Sequence, residues 1–352
     1  MTFSGRFSFA LAGLCVFLAT GVTADAALVK RDVPDFIQSW ALYQRWDTMT
    51  ESIPEFDVPD VDDVTVAVFD KTAGTLKWTC NTLVLGDQIS AFTSIIQKAS
   101  LDTYDQPTVV TKRSYSERTQ VLYGARLQKS ISNENVLPVI DYVYSDAVPA
   151  DRVRAYGWSI MPYVSAGSLE TNFGSYTDQT SINAAFKQIL NAVAAVSAAG
   201  ILHRDLKPEN FLKDGDTLKL MDFDQSRQTA TSLQYDVGTP SYTAPEIIAM
   251  QTEDGFEYDT KADTFSTAMI FMVLSVSELQ DATARFQLWK DVIQPDGALW
   301  PSAEKVADVL SKKNYAVFTG NDGLLNVLAK ALCKPSERYD PPSFQSAFNG
   351  VA

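Results

Sequence analysis

The sequence predicts an α+β fold, with strands first and helices after. Three observations predict it. Strand-like segments of alternating or β-branched residues recur between residues 64 and 164. Segments with helical spacing recur from residue 181 onward. The 352 residues exceed a typical single domain, which suits one two-lobed enzyme or two small domains. Hydrophobic residues make up 46% of the chain, an ordinary share for a protein with a real core.

Taken in order, the chain starts with Arg6, an apolar run from Phe7 to Thr20, and small residues at Val22-Thr23-Ala24 and Ala24-Asp25-Ala26. The run is too short for a comfortable membrane span, so residues 1–24 read as a signal peptide. A short membrane anchor is the alternative, and the lack of a flanking basic cluster speaks against it. Lys30-Arg31 before Asp32 reads as the end of a short pro-segment, 25–31, similar to the sites cut by kexin-type proteases. The alternative is an incidental pair in a tail. Residues 32–63 form an N-terminal extension: Phe36, Trp40 and Tyr43 have helical spacing, and an acidic linker runs from Glu51 to Asp63.

Strand-like segments follow at 64–69 and 75–80, with turn chemistry in Asp70-Lys71-Thr72-Ala73-Gly74 between them. A further strand spans 108–112, a helix 117–131, and strands 138–144 and 156–164. Residues 181–199 carry a broad apolar face with Phe186, Ile189, Leu190 and Val193, and Gly200 ends that helix. A short strand spans 218–221. The segment 265–276 is apolar nearly all round and is expected to be a buried helix. Helices are also expected at 282–292, 303–310 and 324–333.

Composition excludes several functions. A net charge of −14 speaks against nucleic-acid binding, which needs clustered Lys and Arg to neutralise phosphates. His203 is the only histidine, which removes Ser-His-Asp and Cys-His hydrolysis and histidine-based zinc sites. Cys15 would leave with a signal peptide. Cys80 and Cys333 are too far apart in sequence to announce a disulfide framework, and no Asn-x-Ser/Thr sequon occurs.

The chemistry concentrates in His203-Arg204-Asp205-Leu206-Lys207-Pro208-Glu209-Asn210. A carboxylate, a lysine two residues on and an amide five residues on can meet at one phosphate only if a loop bends around them. The carboxylate then accepts the proton of an attacking hydroxyl, the lysine steadies phosphoryl charge, and the amide oxygen holds a metal ion. This stretch resembles the catalytic loop of eukaryotic protein kinases. So do Asp222-Phe223-Asp224, similar to the family's DFG with Asp224 in place of glycine, and Gly238-Thr239-Pro240-Ser241-Tyr242-Thr243-Ala244-Pro245-Glu246, close to GTxxYxAPE. The likeness covers about residues 80–345 and is strongest from Gly200 to Asp263.

The resemblance implies a kinase domain over 64–352: a small β-rich lobe (64–162), a larger helical lobe (163–352), and ATP and Mg2+ in the cleft between them. It implies Asp205 as catalytic base or orienting carboxylate and Lys207 as the group that steadies the moving phosphate. Asn210 and Asp222 are the implied metal ligands. Lys112, at the end of Thr108-Val109-Val110-Thr111-Lys112, is similar to the ATP-gripping lysine of VAIK. Met161 stands at the gatekeeper position, with Pro162 and Val164 offering backbone to adenine. Gly86, in Leu83 to Ile96, stands for a degenerate glycine-rich loop or for a plain hairpin.

The family's helix glutamate, partner of the lysine, falls near Gly124 by count. The nearest glutamate is Glu117, so the ion pair is shifted, absent or supplied differently. Arg204 is expected to meet a phosphate on the activation segment, with Thr229, Thr231 and Ser232 as candidate sites. Asp263 is expected to cap a helix and brace the catalytic loop, and Glu246 to pair with Arg338. The implied activity is serine/threonine protein kinase, acting on a protein hydroxyl in the secretory lumen or after release, with no stable membrane span once the signal is gone. A secreted pseudokinase and a small-molecule kinase are the alternatives.

Overall fold

The computed structural model describes residues 64–91, 94–103, 108–114, 118–146, 156–234, 237–249, 257–295 and 301–352. All lie within one compact unit, Val58–Ala352. The expected signal peptide (1–24), pro-segment (25–31) and extension (32–63), and also Glu117, fall outside the described residues.

The small lobe opens with a hairpin of β1 (Thr65–Asp70) and β2 (Thr75–Trp78). Asp70 Oδ1 accepts hydrogen bonds from the backbone N–H groups of Thr72 and Ala73 at 2.9 and 3.0 Å, so the acidic side chain builds the expected turn. A second hairpin joins β3 (Asn81–Ala91) to β4 (Ile95–Leu101), and β5 (Val109–Ser114) leads to helix α1 (Arg118–Lys129). β6 (Asp141–Asp146) and β7 (Tyr156–Pro162) complete the lobe.

The strands close into a barrel in the order β1-β2-β3-β4-β5-β7-β6. Closure comes from a parallel pairing of β1 with β6, running from Thr65 opposite Val143 to Val68 opposite Asp146. A closed sheet leaves no unpaired strand edge. Alternation along each strand turns Phe69, Leu76, Trp78, Leu83, Trp158 and Ile160 into one shared core. Arg113 joins it from β5, its guanidinium 4.9, 5.4 and 4.7 Å from the ring centres of Phe69, Tyr156 and Trp158.

The large lobe is built on α2 (Gln179–Ala198). Asp178 and Ser181 form a reciprocal capping box at its start, and Gly200, at φ +69°, ends it in the left-handed region. The pairs β8 (Ile201–Leu202) with β11 (Arg227–Gln228), and β9 (Phe211–Asp214) with β10 (Thr217–Leu220), form two small ladders. Helices α3 (Pro245–Ala249), α4 (Lys261–Ser275), α5 (Ala282–Ile293), α6 (Ala303–Lys312), α7 (Asp322–Leu332) and α8 (Pro341–Asn349) follow. Every residue of α4 from Ala262 to Leu274 is buried, as its unbroken apolar run predicts.

One aromatic cluster ties three helices together. Phe186 of α2 meets Phe271 of α4 edge-on at 4.8 Å, and Phe344 and Phe348 of α8 at 5.9 and 4.7 Å. Full burial of each ring contributes about 1.5–3 kcal/mol. The two-lobed α+β architecture is as expected. The barrel closure, the β9 strand and α8 were not anticipated.

The expected capping role of Asp263 needs correction. Thr260 is the residue that precedes α4, and the Asp263 carboxylate, inside the first turn, turns to the catalytic loop instead. The two cysteines of the described residues are unbridged, Cys80 exposed and Cys333 buried, and burial pushes the Cys333 thiol up to about 11. A thiol reagent at pH 8 is therefore expected to label Cys80 within minutes and to reach Cys333 only after denaturant is added. Equal labelling of both in the native protein contradicts this packing.

Candidate active site

Two loops carry the expected catalytic residues, and the two small ladders set them side by side. Residues 203–210 link β8 to β9, and residues 221–226 link β10 to β11. The β8–β11 and β9–β10 pairings draw the ends of both loops together. The backbone N–H of Met221 also donates to the carbonyl of Asn210 at 2.9 Å. The two expected metal ligands, Asn210 and Asp222, are thereby neighbours.

Asp263 fixes the first loop from below. Its two carboxylate oxygens accept the backbone N–H groups of His203 and Arg204, each at 2.8 Å. Arg204 can present its N–H in this way because it stands at φ +70°. The His203 ring is buried, which lowers its pKa and keeps it neutral, and it packs edge-on against Phe223 with centroids 4.7 Å apart. The sole histidine therefore holds the two loops against each other.

Asp205 is oriented by three donors. Thr239 Oγ donates to its Oδ1 at 2.6 Å, Lys207 Nζ lies 2.9 Å from its Oδ2, and Asn210 Nδ2 reaches Oδ2 at 3.3 Å. Lys207 also donates to Thr239 Oγ at 2.8 Å. Burial would lower the Lys207 pKa, but Asp205 and then Glu209 outweigh it and raise it, so the ammonium stays charged. Gly238 permits this closeness: at φ +90°, a Cβ there would stand 2.6 Å from Thr243 Oγ and 3.0 Å from the Arg204 carbonyl.

Lys112 reaches across from β5 to the second loop. Its Nζ lies 2.7 Å from Asp222 Oδ1 and 2.8 Å from Asp224 Oδ2. Burial opposes its charge, but the two carboxylates prevail and raise its pKa, while Asp222 is correspondingly lowered. The lysine thus meets two carboxylates of one loop, that of the expected metal ligand Asp222 and that of Asp224. Asp224 does not need the backbone freedom of the glycine it replaces, because its φ is not positive; Asp222 is the left-handed residue, at φ +65°. The position counted for the helix glutamate, Gly124, packs against the same loop, where a Cβ would fall 2.7 Å from the Phe223 carbonyl.

Pro162 ends β7, and Met161 is buried among Ala125, Leu137 and Val139. Val110, Val164, Leu212 and Met221 pack on that cluster, giving an apolar layer shared by both lobes beside Lys112. Leu212 and Met221 were not singled out from sequence; their place just after the catalytic loop and just before Asp222 is the signal that could have found them. Gly86 sits at a bulge within β3, its carbonyl accepting from Gln97 Nε2 at 3.3 Å, ahead of the turn into β4.

Among the described residues, the Arg204 guanidinium donates to neutral groups: the Gln225 carbonyl at 2.6 Å, Gln234 Oε1 at 2.9 Å, Tyr258 OH at 3.3 Å and Ser232 Oγ at 3.4 Å. Of the three candidate phosphorylation sites, Ser232 comes to it, while Thr229 donates to the carbonyl of Thr231. Ser232 and Tyr258 pair through both backbone groups, at 2.9 and 3.1 Å, which holds this segment on the large lobe.

Among the described residues, no cluster of three or more His, Cys, Asp and Glu could hold a metal. Magnesium asks for less, because it keeps several waters and binds one or two carboxylates together with substrate phosphates. Asn210 commits its amide nitrogen to the Asp205 carbonyl at 2.7 Å, which leaves that nitrogen pointing away from any metal and makes the oxygen its candidate ligand atom. The donor set fits a hard, oxygen-seeking dication bound jointly with a nucleotide.

Comparison with known proteins agrees with this geometry. The family model described as Protein kinase domain matches residues 104–311, more than half of the chain. The serine/threonine-protein kinase chk-2 of Caenorhabditis elegans is 26% identical over 171 residues, 46% of this chain and 34% of that protein. CBL-interacting protein kinase 11 of Oryza sativa subsp. japonica is 31% identical over 163 residues, 44% of this chain and 30% of its own length. A probable serine/threonine-protein kinase 2 of Plasmodium falciparum is 26% identical over 261 residues, 64% of this chain and 50% of that protein. The chain spans about a third to a half of the length of these relatives.

Below the site, Glu246 and Arg338 form the buried pair expected from sequence, joined through both guanidinium nitrogens, and Arg338 Nε donates to the Cys333 carbonyl at 2.8 Å. Replacing Arg338 with Leu leaves a buried carboxylate without its cation. The expected cost is about 3–5 kcal/mol in urea unfolding, with part of it recovered by adding Glu246→Leu. A single-variant loss below about 1 kcal/mol contradicts this role.

Proposed function

Since the chain belongs to the protein kinase domain family, we propose that it transfers the γ-phosphoryl group of ATP to serine or threonine hydroxyls of a protein. The observation that carries the proposal is the set of contacts around Asp205. A carboxylate held by Thr239, Lys207 and Asn210 is oriented to accept a hydroxyl proton, and the two metal ligands stand beside it. Mg2+, held by Asn210 and Asp222, supplies charge neutralisation at the phosphates when bound.

The protein's own groups carry the rest. Lys112 grips the phosphates nearer the ribose, and Lys207 offsets the charge of the group in flight. The apolar layer of Val110, Met161, Leu212 and Met221 gives the cleft beside Lys112 an apolar surface. Asp205 takes the proton as the hydroxyl attacks. The lysine at 207 supports a serine/threonine preference. The alternative, a kinase-fold binding module without transfer, draws on the sparse glycines, on the unplaced helix glutamate and on Asp224 in place of glycine. The contact of Lys112 with Asp224 gives the lysine a second carboxylate and so supports the active reading.

The proposal extends to location. The apolar run 7–20 and the pair Lys30-Arg31 support entry into the secretory route, with release of a protein starting at Asp32. Residues 1–24 fused to a reporter should carry it into the lumen; a cytosolic reporter removes this part alone.

Purified protein incubated with labelled ATP, magnesium and a serine/threonine peptide library should transfer phosphate. Asp205→Asn should lower the rate by about 10²–10⁴-fold, and a chelator should abolish transfer until magnesium is restored. A wild-type protein without transfer contradicts the proposal, as does full activity in Asp205→Asn.

A further inference from the structure

We propose that Asp224 is a positioning residue, holding the Lys112 ammonium in the cleft from the loop 221–226, so that helix α1 supplies none of the lysine's opposite charge. The inference rests on the kinase reading and deepens it.

Three observations converge. First, Lys112 Nζ lies 2.8 Å from Asp224 Oδ2, as close as its 2.7 Å contact with Asp222. Second, α1, Arg118–Lys129, contains no Asp or Glu, so among the described residues no carboxylate of the helix faces Lys112. Third, Gly124 lets α1 lie flush on the loop. A Cβ at 124 would stand 2.7 Å from both the carbonyl carbon and oxygen of Phe223 and 2.9 Å from the Asp224 nitrogen, all backbone atoms that cannot swing aside. Helix and loop are therefore matched, with the side chain missing from one and the carboxylate present on the other.

Position explains why one carboxylate would not suffice. Asp222 is one of the two proposed magnesium ligands, and a carboxylate drawn to a dication has less to offer an ammonium. Asp224, one residue beyond Phe223, keeps the lysine anchored independently of the metal. Phe223 is itself buried against His203, which fixes the span between the two aspartates. The arrangement ties the lysine to the loop directly, so its placement does not depend on a swing of α1.

The test is a double-mutant cycle on the full chain with Lys112→Met and Asp224→Asn, read by calorimetry as affinity for MgADP, alongside kcat/KM for ATP. Asp224→Asn should lower kcat/KM tenfold or more, and MgADP affinity severalfold, with native thermal unfolding retained. In the Lys112→Met background the same change should alter affinity less than twofold, a coupling that a merely structural role would not produce. Asp224→Gly serves as the second variant should the asparagine fail to fold, and Glu117→Gln should leave kcat/KM within twofold.

Fully additive losses overturn the proposal, as does wild-type affinity and turnover in both Asp224 variants, or a Glu117→Gln loss matching that of Lys112→Met. A wild-type chain that binds MgADP but transfers nothing removes the active-kinase reading and leaves the cycle to decide Asp224. One that binds no MgADP overturns both.

Discussion

The contact of one ammonium with two carboxylates, Lys112 with Asp222 and Asp224, is the constraint around which the cleft is arranged. It spans the lobes, joining the fifth strand of the barrel to a loop of the helical body. Each charge taken from water there would be costly alone, and the three are stable only as a group. The surrounding features serve that grouping. Gly124 brings α1 onto the loop, Phe223 seals it against His203, and the ladders on either side hold its ends.

The second group, around Asp205, is built in the same manner and shares a wall with the first through the Met221–Asn210 backbone bond. Asp263 holds the loop backbone while Thr239, Lys207 and Asn210 hold the carboxylate. Nearly every donor in these two groups comes from a buried or half-buried residue, so the charge pattern is preorganised before any substrate arrives. That is the condition under which electrostatic stabilisation of a developing charge is most effective.

Legibility from sequence followed the range of each interaction. The stretch His203–Asn210 was readable because its chemistry requires those residues within one tight loop, and Glu246 with Arg338 because both lie in recognisable flanking motifs. Helices such as α4 were readable from an unbroken apolar run. The barrel was not, because the parallel pairing of β1 with β6 joins segments more than seventy residues apart and leaves no periodic trace. The lysine's partner was the instructive case. Counting along the helix reached Gly124 and found no acid, while the unusual Asp224 stood in view a hundred residues later. Each departure was visible alone; only the packing of α1 on the loop shows that one answers the other.

A crystal structure of the chain with magnesium and a non-hydrolysable ATP analogue measures the central claim most directly. The account predicts the metal on the Asn210 and Asp222 oxygens, the Lys112 ammonium on the nucleotide phosphates, and Asp224 still within hydrogen-bonding distance of that ammonium. A nucleotide seated elsewhere, or a Lys112 that has left Asp224 for a carboxylate on or before α1, would contradict it.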